Sequence, residues 1–315
     1  MCPNKYTSIN IKKESGSSHA QTKKRLFTSG RIWTRSVVEN INKISTTNNM
    51  MPAASAPDFQ NPGLESISFK LDEAVLHTID LDQSPPILKS TIGSYELETP
   101  FILSPGEFKN LSYECKSKLI SSSALSQTPI LIPYNYLLSD SIPKGCPVIA
   151  LCPCSIKAED IDCLKNVWAI QIDASGLFGP IPSFSQIKQT IDLLLDNGIT
   201  NIPLGLRLQP STLYRDLIDV PIKKINFITL VSLHEGWHSL PETLNENTGL
   251  GALAALRIVS EYFLDSVDKP QIILSGGIRD GLDAAKAFAL GADMVEFGSA
   301  IMACLGCTFC SECKP

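Results

Sequence analysis

Eight near-continuously apolar, β-rich runs alternate with helical patterns between residues 98 and 303, and this alternation leaves the chain very few folds. The runs are 100–103 (Pro-Phe-Ile-Leu), 129–133, 147–152, 167–173, 202–208, 225–231, 270–275 and 294–298. A strand wetted on one face alternates apolar and polar residues. These runs do not, so each predicts a strand buried on both faces, as in a parallel sheet covered by helices. Helical patterns fall between them at 108–122, 157–166, 185–196, 250–266 and 281–290, with a weaker one at 134–146. In 281–290 the periodicity puts Leu282, Ala285, Phe288 and Ala289 on one face, with Asp280 as N-cap and Gly291 at the stop; Ser185 is a second N-cap candidate. Eight strands with intervening helices predict the α/β class and a (β/α)8 (TIM) barrel; an open doubly wound sheet is the alternative.

At 315 residues the chain is long enough for one large domain and a tail. Residues 1–60 are rich in Ser, Thr, Asn and Lys and predict a disordered or targeting-like tail, or a segment upstream of a true start at Met50 or Met51. Residues 61–97 form an extension bracing the barrel, 98–303 the barrel itself, and 304–315 a Cys-rich segment. The first fifty residues hold nine Lys/Arg against Glu14 and Glu39, a net +7, whereas the whole chain carries −5. The body is therefore acidic, which excludes it as a nucleic-acid binder. There is neither a secretory apolar region nor a stretch of about 18 apolar residues, so no membrane partner is expected. The expected location is cytoplasmic, with organelle targeting through the basic tail as the alternative.

Two glycine turns mark a phosphate site. The seventh run ends in Ser275-Gly276-Gly277-Ile278-Arg279-Asp280 and the eighth in Phe297-Gly298-Ser299-Ala300. Without Cβ atoms at these turns, backbone N–H groups can approach an anion, and the ends of late barrel strands are a recurrent phosphate location. Cys304, Cys307, Cys310 and Cys313 follow at once, spaced by three. Thiolates are soft ligands suited to an iron–sulfur cluster or, less favoured here, to zinc. C-x2-C-x2-C is the three-cysteine run of 4Fe–4S sites, with the fourth ligand coming from Cys304 or the Cys152/Cys154 pair. A regular helix would scatter four such thiols around its axis, so a turn-rich wrap is expected. A thiolate cluster beside a phosphate cradle suggests a flavin next to an iron–sulfur centre.

The stretch from Gly276 to Lys286, then Leu290-Gly291-Ala292-Asp293 and Phe297-Gly298-Ser299-Ala300, resembles flavin-mononucleotide barrels generally. The continuation Ile301-Met302-Ala303-Cys304-Leu305-Gly306-Cys307 resembles the glutamate synthase junction, as does Pro100-Phe101-Ile102 with Ser104-Pro105 and Leu111-Ser112. That resemblance implies FMN, with Gly276, Gly277, Gly298 and Ser299 at its phosphate. It implies a 3Fe–4S cluster, with Cys307 where the family has its first cluster cysteine, and reduction of an imine such as 2-iminoglutarate; with the spacing, the candidate ligands of a 3Fe–4S or 4Fe–4S cluster are Cys304, Cys307, Cys310 and Cys313. Arg207 falls where the family has a lysine near the flavin. It keeps the positive charge, although its planar fork is not interchangeable with an ammonium. Implied partners are a small-molecule substrate and an electron-donor protein or separate amidotransferase subunit. The chain departs from the family at Gly106-Glu107-Phe108-Lys109, at the loop after the sixth run, and in its compressed cysteine spacing. These departures leave open an isomerase or 2-hydroxy-acid oxidase activity, or a degenerate non-catalytic barrel serving as a partner subunit.

The loop 232–249 is the longest connection and carries His234, Glu235, Trp237, His238 and Glu242. His234 and Glu235 are candidates for acid–base work beside Arg207. Gly236 and Pro241 speak against the helix that a zinc-binding H-E-x-x-H pattern needs. Asp173 is a further mouth-facing candidate. Cys152 and Cys154 read as small buried residues, and Cys2 as incidental.

Overall fold

The apolar runs close on themselves. In the computed structural model, which describes residues 37–38, 41–42, 45, 63–70, 88–105, 108, 111–139, 142–175, 181–208, 222–232, 251–266 and 268–307, they form a closed parallel barrel. A short antiparallel hairpin, β1 (Ser90–Ile92) and β2 (Tyr95–Leu97), precedes it. The barrel strands are β3 (Phe101–Leu103), β4 (Ile130–Pro133), β5 (Val148–Pro153), β6 (Ala169–Ala174), β7 (Leu204–Leu208), β8 (Phe227–Val231), β9 (Gln271–Ser275) and β10 (Met294–Phe297). β10 pairs in parallel with β3, which removes both sheet edges. Closure decides against the open doubly wound sheet.

The helices are α1 (Tyr113–Ser126), α2 (Tyr134–Ser139), α3 (Phe184–Asp196), α4 (Ala252–Tyr262), α5 (Gly281–Ala289) and α6 (Ser299–Cys304). The pattern at 157–166 is a 3-10 helix, Ala158–Leu164, rather than an α-helix. α3 is capped by Ser183, not Ser185: Ser183 Oγ accepts from Gln186 N–H while Gln186 Oε1 accepts from Ser183 N–H. This reciprocal capping box satisfies two of the amides a helix start leaves unpaired.

Two apolar layers result. Strand residues facing outward, such as Ile170, Leu206, Ile228 and Leu274, pack against Ile187, Leu194, Leu256, Val259 and Ala287 of the helices. Residues facing the lumen, including Ile102, Ile149, Leu151, Phe227, Ile273 and Met294, form a second cluster. Ile92 and Leu97 of the hairpin join that second cluster and floor the lumen at the N-terminal ends of the strands. Gln271 Nε2 donates to Thr91 O at 2.7 Å, and Tyr95 stacks on Trp168 at 5.0 Å, fixing the hairpin there. Within the lumen Gly205 leaves room for the Phe227 ring: a Cβ at 205 would lie 2.1 Å from it.

Two features differ from the sequence expectations. The face of α5 is turned: Leu282 is 55% exposed, and the buried residues are Asp283, Ala284, Lys286 and Ala287. Asp283 and Lys286 go inward because each finds partners there, as described below. Residues 37, 38, 41, 42 and 45, placed by composition in a disordered tail, are helical. Val37 and Val38 are buried against Ala300, Met302, Ala303 and Cys307. Composition averages over the segment and cannot show that a single apolar pair has a docking surface on α6. Among the described residues, no helix is long and apolar enough to cross a membrane.

Candidate active site at the barrel mouth

The C-terminal end of β9 turns through Gly276 (φ +93°) and Gly277 (φ +79°). Two successive left-handed residues cost L side chains energy and glycine almost none, so the sequence dictates this turn. Ser232 Oγ, just beyond β8, donates to Gly276 O at 3.1 Å and holds the turn in place. At the end of β10 the constraint at Gly298 is one of approach. A Cβ there would stand 3.1 Å from the backbone oxygen of Ser104, whose own N–H donates to Phe297 O. The two turns border one pocket with an empty volume of about 200 Å³, lined by Ser275, Gly276, Gly277, Ile278, Glu296, Gly298 and Ser299. Glycine and serine backbone on two sides of the pocket is the chemistry an anion such as a phosphate group would need.

Directly after the turn, Asp283 on the first turn of α5 locks the segment. Its carboxylate accepts from Arg279 Nε at 2.6 Å, from Arg279 Nη2 at 3.0 Å and from Arg279 N–H at 3.2 Å. Lys286 lies 3.8 Å from the same carboxylate and donates to Leu64 O at 2.9 Å, tying the N-terminal extension to α5. These charges of the Gly-Gly-Ile-Arg-Asp-Gly-Leu-Asp-Ala-Ala-Lys stretch thus brace the cradle from behind.

Arg207 lies in the lumen on β7, below the pocket, and is buried. Its Nη1 sits 2.7 Å from Glu296 Oε2 on β10, both side chains at most 3% exposed, and its Nη2 donates to Ser275 Oγ at 3.1 Å. Gln171 on β6 and Thr229 on β8 complete the network. Gln171 Nε2 donates to Thr229 Oγ1 and, at 3.3 Å, to Glu296 Oε1, and Thr229 Oγ1 donates to Glu296 Oε1 at 3.5 Å. A buried ion pair is tolerated better when hydrogen bonds engage its other polar atoms, as Gln171, Thr229 and Ser275 do here. Gln171, Thr229 and Glu296 were not singled out from the sequence. The available signal was a polar residue within an otherwise apolar strand, which must find a partner.

The remaining predicted residues are placed as follows. Asp173, at the end of β6, accepts from Ser175 N–H and Ser175 Oγ at 2.9 and 2.6 Å. Cys152 is fully buried, and desolvation pushes its thiol well above the usual range. Desolvation likewise raises Cys154, to about 11, against an opposing hydrogen bond from Thr190. α6 ends at Cys304, which is exposed; the chain then turns through Gly306 (φ +85°), and Cys307 is buried against Val37 and Val38. Although the residue is exposed to solvent, neighbouring atoms partly desolvate the Cys304 thiol and raise it, partly offset by a hydrogen bond with Ser45. His234, Glu235, Cys310 and Cys313 lie outside the described residues. Among the described residues no three His, Cys, Asp or Glu side chains converge as a metal-binding set. Cys304 and Cys307 are soft donors by chemistry, but two thiols are not a complete ligand set.

Comparison with known proteins agrees with this geometry. A family model described as a conserved region in glutamate synthase matches residues 174–314, which contain β7 to β10 and both glycine turns. An archaeal glutamate synthase [NADPH] of Archaeoglobus fulgidus is 33% identical over 90 residues, 28% of this chain and 18% of that protein. A glutamate synthase large subunit-like protein of Rhizobium meliloti is 37% identical over 81 residues, 25% of this chain and 18% of that one. The matched stretch therefore spans less than a fifth of either relative. Among solved structures, a lactate oxidase of Pediococcus acidilactici superposes with a TM-score of 0.55 at 17% identity, covering 88% of this chain and 78% of that one. A flavocytochrome b2 variant with pyruvate bound gives 0.55 at 17% identity, covering 80% and 68%. Identities this low speak for the barrel fold alone. The chain is thus a closed parallel barrel whose residues 174–314 are similar to a conserved region in glutamate synthase.

Proposed function

We propose that the chain is an FMN-dependent oxidoreductase of the glutamate synthase type. The observation that carries this reading is the convergence of two glycine turns, from adjacent strands β9 and β10, on one pocket within the family-matched stretch. The amides of Gly276, Gly277, Gly298 and Ser299 would hold the phosphate, and Ser275 and Ser299 add hydroxyl groups at its rim. With FMN bound, the chemistry supplied would be hydride delivery to an imine such as 2-iminoglutarate, with electrons entering from an iron–sulfur centre at the cysteine end. Cys304, Cys307, Cys310 and Cys313 would ligate that centre. His234 and Glu235 would act on the substrate's protons, and an electron-donor protein and a separate amidotransferase subunit would supply electrons and ammonia.

A second reading, a degenerate barrel acting as a partner subunit, is favoured by one observation. The cation expected beside the flavin, Arg207, is instead committed to Glu296 and buried. Flavin binding separates the two. Gly277→Val places a β-branched residue at φ +79°, and Gly298→Val pushes a side chain onto Ser104 O. Each is expected to lose FMN while the barrel's circular dichroism is kept. Full FMN retention in both variants contradicts the proposed function.

A further inference from the structure

We propose that Arg207 cancels the charge of Glu296 beside the phosphate pocket, so that the pocket keeps its preference for a phosphorylated flavin over the same flavin without its phosphate. This rests on the FMN reading above. Glu296 lines the pocket and is only 1% exposed, so its buried charge lies close to the space assigned to a phosphate. An uncompensated carboxylate there would repel the ligand. Arg207 supplies the compensation: Nη1 at 2.7 Å from Glu296 Oε2, and Nη2 on the Oγ of Ser275, a second wall of the same pocket. One guanidinium thus spans the β9 and β10 sides of the cradle from below. A planar fork with several donors can do this, whereas an ammonium presents a single point.

Other nearby cations are otherwise engaged. Arg279 is bidentate on Asp283, and Lys286 is bound to Leu64 O and faces Asp283. Among the described residues, no Lys or Arg lines the pocket. The pocket floor is therefore neutral as a pair. Removing the arginine makes it negative, and neutralising the glutamate makes it positive. Gln171 and Thr229 both hydrogen-bond Glu296, and both retain a partner when Glu296 becomes an isosteric amide.

The test measures binding of FMN and of riboflavin to the full-length apoprotein by quenching of flavin fluorescence, and takes the ratio of the two dissociation constants. In low-dielectric surroundings, an unpaired charge near a phosphate changes its affinity by roughly tenfold to a hundredfold. Arg207→Met is expected to reduce the preference for FMN over riboflavin by about that factor, Glu296→Gln to increase it, and the double variant to return near the wild-type ratio. A merely structural role would weaken both flavins together and leave the ratio unmoved. If Arg207→Met does not fold, Glu296→Gln still decides, because its ratio must rise. FMN binding by the wild type with unchanged ratios in the variants overturns this inference alone. Failure of the wild type to bind either flavin overturns the FMN reading and this inference with it.

Discussion

Asp283→Ala should unhinge the cradle without touching it. Asp283 is fully buried, and its carboxylate receives three hydrogen bonds from Arg279 with Lys286 3.8 Å away. Alanine leaves two cations, with side chains only 12% and 7% exposed, facing a vacated space. Breaking a buried pair by deleting one partner costs about 3–5 kcal/mol, because the survivor keeps its desolvation penalty and loses its compensation. For a domain of this size, each kcal/mol lowers Tm by roughly 2–4 °C, so the expected drop is about 6–20 °C. The assay is thermal unfolding followed by circular dichroism, with Asp283→Asn as a milder variant that keeps one acceptor oxygen. A double-mutant cycle with Arg279→Met then isolates the pair. A fall below about 2 °C, or no coupling in the cycle, would refute the claim that these charges brace the turn.

Three further outcomes follow. Val38→Asp places a carboxylate in the apolar contact with α6, and should release that segment and raise alkylation of Cys307 by about tenfold or more; an unchanged rate, read by mass spectrometry, contradicts the packing. Cys154, held up to about 11 by burial, should label slowly at pH 8 and ever faster toward pH 11; a plateau at pH 9 contradicts it. Because the folded state holds that proton more tightly than the unfolded one, the associated stability is complete below about pH 9 and lost as pH rises through about 11. Gly205→Ala drives a methyl group into the Phe227 ring and should cost about 1–3 kcal/mol, partly recovered by Phe227→Leu; an unchanged melting curve contradicts the lumen packing.

The barrel was legible because burial on both faces leaves a continuous apolar run, and each of the eight runs overlaps a strand that closes the sheet. The glycine turns were legible because only glycine tolerates the geometry that Gly276 and Gly277 adopt. Helix faces were less so. In α5 apolar periodicity picks out Leu282, Ala285, Phe288 and Ala289, whereas a charge clamp on Asp283 and a backbone acceptor on Leu64 draw Asp283 and Lys286 inward. Partners distant in sequence caused the other misses. Glu296 and Arg207 stand 89 residues apart, and neither strand alone reveals their pairing. Val37 and Val38 likewise gain their meaning from α6, near the other end of the chain. The chain turns through Gly306 between Cys304 and Cys307, and the turn-rich wrap expected of all four cysteines extends to Cys310 and Cys313, outside the described residues.

The most direct test of the central claim is an anaerobic absorption spectrum of the purified full-length protein, taken with iron and acid-labile sulfide assays. The account predicts flavin bands that disappear in Gly277→Val, together with iron and sulfide in cluster proportions. A colourless protein that contains neither and does not take up added FMN would contradict it.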